Sequence, residues 1–396
     1  MFKINDNFRN IGESYLFSDI ARKVSHYLDE NPDANIIRLG IGDVTLPLCA
    51  TVVDTLISAS REQAHSDTFQ GYGPEQGHKF LRELIVRNDY ASRGVSLDYD
   101  EIFISDGAKS DIANIGDILS ADNLAAITDP VYPVYLDTNI MTGRPVHMLP
   151  CNEDNDFLPK LPVSVRPDII YLCYPNNPTG VAMTYDELGE WVDYANHIGA
   201  LILFDSAYEA YISDNDVPHS IFEIEGAKTC AIEFRSYSKT AGFTGLRCGY
   251  TVVPKELMSG NVKLNDLWRR RQSTKFNGAS YVVQRAAAAL YTDEGQRAIR
   301  QNIDYYMANA ALLKNSLTNC GLRVYGGKNA PYLWVKAPDK LGSWNFFDIL
   351  LKEANVVTTP GIGFGSQGEG YMRLTAFSTH ESTKDAASRI HKLFNK

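Results

Sequence analysis

The 396-residue chain is 44% hydrophobic and 22% charged, with 17 prolines and 29 glycines dispersed along it, a composition that fits two or three globular cores and excludes a low-complexity chain. Its net charge of −10 argues against a nucleic-acid or anionic-membrane surface, and the short basic run WRRRQSTK (268–275) reads as a solvated or interface face. Six widely spaced cysteines without CxxC or CxxH pairs, an N-terminus (MFKINDNFRN) without an apolar signal region, and no run of ~18 apolar residues predict reduced thiols, no metal site, no membrane span and a cytoplasmic location.

Short apolar strands alternating with helical patterns begin near residue 100. EIFISDG (101–107) leads into AKSDIANIGDIL, where Ile112, Ile115, Ile118 and Leu119 recur at helical spacing. Further strands are predicted at LAAITDP (124–130), DIIYLCYP (168–175), ALILFDSAY (200–208), TCAIEFRS (229–236) and CGYTVVP (248–254). Between the third and fourth lies TYDELGEWVDYANHIG, a helix with Thr184 as its cap and Glu187 three residues on. Near-continuous apolar strands separated by helices indicate an α/β fold with a mostly parallel sheet covered on both faces.

Residues 280–318 read as long helices ended by Cys320-Gly321. GLRVYG, PYLWVKAP, NVVTTP and GYMRLTAF then look like strands of a smaller α+β unit, with helices at SWNFFDILLKEA and the C-terminus. The expected division is an N-terminal arm contributing to a small domain (1–45), a large α/β domain (46–280), and interdomain helices with the rest of the small domain (281–396). GIGFGSQGEG (361–370) resembles a dinucleotide fingerprint only superficially, because it adjoins no βαβ unit and no acidic residue closes a second strand.

Functional groups in a parallel sheet collect at the carboxyl ends of its strands. Those ends supply Asp106-Gly107-Ala108-Lys109 opening a helix, Tyr132 in DPVYPVY, Asn177 in YPNNPTG, Asp205 and Tyr208 in FDSAY, and Ser236, Ser238 and Lys239 in RSYSK. Each alone has an ordinary explanation as turn, cap or core edge. Together they match the needs of pyridoxal 5'-phosphate: an amine to bond its aldehyde, a carboxylate to keep the ring nitrogen protonated, donors to the ring oxygen, an aromatic cover and a phosphate cup. Lys239 is the expected amine and Asp205 the carboxylate. Asn177 and Tyr208 would hold the ring oxygen, and Tyr132 would stack on the ring. The helix opening at Ala108-Lys109, with Ser236, Ser238 and Arg247, would take the phosphate.

The ordered set YPNNPTG, FDSAYEAYI and SYSKTAGFTGLRCGYTVVP resembles the fold-type I aminotransferases. LGIGDVTLPL, GYGPEQG, SDGAKSD, DPVYPVYLDTN, TKFNGASY and YLWVKAPD narrow the resemblance to the LL-diaminopimelate aminotransferases, over essentially the whole chain. That resemblance implies a seven-stranded, mostly parallel sheet. It implies Lys239, Asp205 and Tyr132 as the catalytic set, and adds Tyr72 and Asn277 to the cofactor contacts. It implies that Tyr15, Gly42, Glu75, Lys109, Tyr132, Asn177, Asn277 and Arg373 reach the substrate. It further implies that Tyr72, Glu75 and Asn277 come from the neighbouring subunit of a homodimer with shared active sites. Leu46, apolar where the family is often polar, Ser206, where alanine is usual, and the short segment between Arg144 and Cys151 depart from the pattern.

The implied reaction moves an amino group between glutamate or 2-oxoglutarate and tetrahydrodipicolinate or LL-2,6-diaminopimelate, in lysine and diaminopimelate biosynthesis, with small amino and keto acids as the partners. A transaminase for lysine, aspartate or aromatic amino acids would share every cofactor residue. A pyridoxal lyase or decarboxylase would also need Lys239 and Asp205, but Arg373 with a glutamate half-reaction favours transfer. A transcriptional regulator built on the same fold would be expected to carry a DNA-binding module and a basic face.

Overall fold

Seven strands make the larger sheet of the computed structural model, which describes residues 2–11, 16–338 and 341–394. In chain order they are β1 (Ile102–Ser105), β2 (Ala125–Asp129), β3 (Val146–Pro150), β4 (Ile169–Cys173), β5 (Leu201–Asp205), β6 (Ala231–Ser236) and β7 (Gly249–Val252). Their order across the sheet is β1-β7-β6-β5-β4-β2-β3, parallel except for β7, which runs antiparallel to both neighbours. The central strands are buried along their length, apart from the half-buried Ser236 ending β6, because helices cover both faces. Side chains alternate between two cores. Ile102, Ile170, Ile202 and Phe204 pack with helices Ala50–Glu62, Lys79–Ile85, Tyr185–Ile198 and Tyr281–Ala289. Phe103, Ile127, Leu203 and Phe234 pack with helices Ala108–Asn114, Val134–Thr142 and Leu264–Lys275.

Six of these strands coincide with predicted segments. β3 was not among them: His147 and Pro150 interrupt its apolar run, and it lies at the sheet edge, mostly half-buried. The segment AKSDIANIGDIL is shorter as an α-helix than expected, ending at Asn114 and tightening to a 3₁₀ turn over Ile115–Ile118. Helix Tyr185–Ile198 starts as predicted, with reciprocal bonds between Thr184 and Glu187. The basic run belongs to helix Leu264–Lys275, where Arg271 and Lys275 both pair with Asp117, at 2.9 and 3.0 Å.

A second, antiparallel sheet comprises β8 (Val324–Gly326), β9 (Tyr332–Lys336), β10 (Thr359–Pro360) and β11 (Tyr371–Thr375), in the order β8-β9-β11-β10. NVVTTP is therefore not one strand. Val356–Val357 pairs in parallel with Ile37–Arg38, and Thr359–Pro360 pairs with β11. Helices Leu16–Glu30, Asp293–Asn319, Ser343–Ala354 and His380–Phe394 pack on this sheet, so both ends of the chain share one core. GIGFGSQGEG forms two 3₁₀ turns, Gly361–Phe364 and Ser366–Gly368, with no strand-to-helix crossover. All six cysteines are free thiols, four of them buried. Among the described residues no helix is long and apolar enough to cross a membrane.

Candidate active site

The carboxyl ends of β4, β5 and β6 open into a cavity of about 420 Å³. Of the predicted residues, Gly42, Ala108, Lys109, Tyr132, Asn177, Asp205, Tyr208, Ser236, Ser238, Lys239, Arg247 and Arg373 line it. Lys239 sits in the one-turn helix Tyr237–Thr240 directly after β6, started by the Ser236 hydroxyl accepting the Ser238 N–H at 3.2 Å. Its Nζ donates to the Gly42 carbonyl at 2.5 Å. Burial lowers the Lys239 amine to about 8; Asp43, 4.0 Å away, opposes the shift, and Arg373 and Arg247 add to it.

Asp205, the last residue of β5, is 7% exposed. Burial raises its carboxyl to about 6, against the Tyr135 hydroxyl, which donates to Oδ2 at 2.6 Å, and the Ala207 N–H, which donates to Oδ1 at 3.1 Å. The cavity thus pairs a cation pushed towards neutrality with a carboxylate held by two donors. Strongly perturbed titratable groups sharing one cleft are a signature of a functional site.

Arg247 adopts φ 61°, a left-handed conformation costly for a residue with a large side chain. That conformation sets its guanidinium against the sheet, where Nη1 donates to Ser238 Oγ at 3.2 Å. Gly107, at φ 125°, precedes helix Ala108–Asn114, and a Cβ there would lie 2.7 Å from Arg247 Nη2. Two serine hydroxyls, a guanidinium and a helix start therefore converge on one end of the cavity. Lys109 Nζ lies 5.6 Å from the centre of the Tyr132 ring.

At the other end, Arg373 reaches in from β11 of the second sheet and is 1% exposed. Nη1 donates to Asn177 Oδ1 at 2.7 Å and Nη2 to the Gly40 carbonyl at 2.6 Å. Tyr332 and Phe364 rings lie 4.7 and 4.8 Å from its Cζ. Buried Nε has no partner among the described residues. Tyr208 shares a 2.6 Å hydroxyl contact with Tyr332, whose ring also closes on Gly42.

Three predicted residues lie elsewhere. Tyr72 is 94% exposed, Asn277 is exposed at φ 66°, and half-buried Glu75 accepts from the Ser273 hydroxyl. The 277–278 turn packs beside Glu75, a Cβ on Gly278 falling 3.6 Å from Glu75 Cα, so these residues form a surface cluster that does not line this chain's cavity. Tyr15 lies outside the described residues. Of the three departures from the expected pattern, neither Leu46 nor Ser206 lines the cavity. Ser206 donates to buried Glu233 at 2.8 Å, and Leu46 packs against the aromatic cluster that includes Tyr208 and Tyr332 while its N–H bonds the Tyr306 hydroxyl at 2.7 Å.

Sequence reasoning missed Tyr135, Tyr332 and Asp43. Tyr135 follows Tyr132 by three residues in DPVYPVY, and helix Val134–Thr142 brings its hydroxyl under Asp205. Tyr332 starts β9 in an otherwise apolar PYLWV, where alternation predicts only an inward ring.

The aminotransferase class I and II family profile matches residues 34–390. LL-diaminopimelate aminotransferases from Parabacteroides distasonis and Methanosphaera stadtmanae are each 57% identical over 407 residues, covering 99% of this chain and 99% of the relative. The solved L,L-diaminopimelate aminotransferase from Chlamydomonas reinhardtii superposes with a TM-score of 0.94 at 42% identity, covering 100% of this chain and 99% of that one.

Proposed function

Because this chain belongs to the class I and II aminotransferases, and within them to the LL-diaminopimelate aminotransferases, we propose that its cavity moves an amino group between glutamate or 2-oxoglutarate and tetrahydrodipicolinate or LL-2,6-diaminopimelate, a step of lysine and diaminopimelate biosynthesis. Lys239 carries this assignment: its buried amine, lowered to about 8, stands in one cavity with the Asp205 carboxylate. The donor set fits pyridoxal 5'-phosphate. Lys239 would bond it, Asp205 would pair with its ring nitrogen, Tyr132 would cover its ring, and Asn177 and Tyr208 would take its ring oxygen. The Ala108-Lys109 helix start, Ser236, Ser238 and Arg247 would take its phosphate. When bound, the cofactor supplies the carbonyl that receives the amino group and the ring that delocalises the electron pair left at the substrate's Cα.

The protein's own groups do the rest. Arg373 grips the α-carboxylate, its free Nε and remaining N–H groups suiting a planar partner. Lys239, its amine lowered by burial to about 8, keeps a larger neutral fraction at ordinary pH than an exposed lysine and would remove and return the Cα proton. The hydroxyl of Tyr135 keeps Asp205 ionised in spite of its burial.

We further propose a cytoplasmic homodimer. Tyr72, Glu75 and Asn277 would complete the cavity of the neighbouring subunit, as cofactor and substrate contacts, and the exposed Val53, Ile57 and Phe69 would be covered by the same contact. The division at 45/46 and 280/281 is proposed as arm, cofactor-binding domain and small domain. An amino-donor screen with purified protein and 2-oxoglutarate tests the function. LL-diaminopimelate should be consumed well ahead of the meso isomer, aspartate and aromatic amino acids. Preference for one of the others would move the chain to a different transaminase.

A further inference from the structure

The glycine-rich loop 361–370 has no part in the chemistry above, yet it is bound tightly to the large sheet. Asp129, the last residue of β2, is 4% exposed and turns its carboxylate onto that loop. Oδ2 accepts the Ser366 N–H at 3.1 Å and the Ser366 hydroxyl at 2.7 Å, and Oδ1 accepts the Gln367 N–H at 3.1 Å. Gly365, at φ 134°, lets the carboxylate come this close, since any Cβ there would collide with Asp129 Oδ1. Two residues on, the Val131 N–H donates to the Phe364 carbonyl at 2.8 Å. A buried carboxylate accepting three donors from one loop is an anchor, and it ties the end of β2 to the loop segment just after Phe364.

Phe364 is the consequence. Its ring is 3% exposed and its centre lies 4.8 Å from the Arg373 Cζ, beside the Tyr332 ring at 4.7 Å, while Nη1 and Nη2 are fixed by Asn177 and Gly40. Through Phe364 the loop forms one wall against Arg373. Asp129 fixes that wall to the same chain turn that carries Tyr132 into the cavity. We propose that Asp129 is a positioning residue for substrate carboxylate recognition, acting through the 364–367 loop and Phe364 on Arg373. This rests on Arg373 binding the substrate α-carboxylate.

The test uses the cofactor-loaded protein and three variants: Asp129→Asn, Ser366→Ala and Arg373→Lys. Asp129→Asn sets an amide N–H against one of the loop's donors; Ser366→Ala removes a single hydroxyl and leaves the backbone bonds, so it serves if the first variant folds poorly. Two quantities are read: hydrogen exchange of the Ser366 and Gln367 amides, and the glutamate half-reaction in single turnover, resolved into a dissociation constant and a limiting rate. The expected result is faster exchange at both amides and glutamate binding weakened about tenfold in Asp129→Asn and about threefold in Ser366→Ala, with the limiting rate within about twofold and the cofactor absorbance unchanged. Faster exchange with unaltered glutamate binding, or binding and limiting rate lost together, would reduce Asp129 to a structural anchor. Arg373→Lys separates the two ideas. If it weakens glutamate while the loop variants do not, the positioning role is wrong; if it too leaves glutamate binding intact, Arg373 does not take the carboxylate and both fall.

Discussion

Replacing Tyr135 with Phe removes one oxygen from the structure, the hydroxyl that donates to Asp205 Oδ2 at 2.6 Å. Asp205 has two donors, and its carboxyl is already lifted to about 6 by burial. A hydrogen bond to a buried charge contributes ~1.5–3 kcal/mol, and 1.36 kcal/mol corresponds to one pKa unit, so the variant's carboxyl should rise by a further ~1–2 units. In the parent the group is mostly ionised at pH 7; in Tyr135→Phe it would be half protonated or more. The assay is fluorescence titration of pyridoxal 5'-phosphate into the apo protein between about pH 5 and pH 9. Parent affinity should fall as the pH drops through about 6, the variant's should fall ~1–2 units earlier, and the curves should converge at the alkaline end. Superimposable pH profiles would show that Tyr135 does not hold Asp205 in its charged form, and the account of the carboxylate would fail.

Burial pulls Lys239 down to about 8 and Asp43, at 4.0 Å and 56% exposed, opposes it. Asp43→Asn should therefore leave more neutral amine at pH 7, and apo protein should bond the cofactor about two- to threefold faster in a stopped-flow absorbance measurement. Asp111, buried on the inner face of helix Ala108–Asn114 and bonded by the Ser105 and Thr251 hydroxyls, is raised by burial from 3.8 to about 7. The folded state thus keeps a proton that the unfolded chain has released, and stability falls as pH rises across that window. Asp111→Asn has no such proton, so its Tm relative to the parent should climb between about pH 4 and pH 7 and then level off; a constant difference would contradict this. Glu75→Ala should cost about tenfold or more in kcat/KM for LL-diaminopimelate, whose distal ammonium would lose its carboxylate, and much less for glutamate; equal losses in the two half-reactions would leave Glu75 a structural residue.

The strands that carry the site were legible because parallel strands buried on both faces read as unbroken apolar runs, and the polar residues ending them stood out. Asp205 and Lys239 were found that way. β3 escaped because an edge strand needs no such run, and His147 and Pro150 sit in it. Tyr135 escaped for a different reason: its hydroxyl matters only because helix Val134–Thr142 crosses beneath β5, a tertiary relation that spacing within DPVYPVY does not encode. The glycine-rich loop forms two 3₁₀ turns rather than a strand-to-helix crossover. Its close approach to Asp129, more than two hundred residues earlier, is a contact between two sheets that local pattern cannot express. Tyr72, Glu75 and Asn277 entered through family resemblance alone, and their place on this chain's surface is one that neither composition nor periodicity signals.

The account of the cavity's chemistry depends on Lys239 being the amine that bonds the cofactor. Borohydride reduction of the cofactor-loaded protein, followed by proteolysis and mass spectrometry, tests that directly, because reduction fixes the cofactor on whichever lysine bonds it. The account predicts one modified peptide, spanning SYSKTAGFTGLR (236–247), with the added mass on Lys239 and none in Lys239→Ala. Label on Lys109, the other lysine lining the cavity, or undiminished label in the alanine variant, would contradict it.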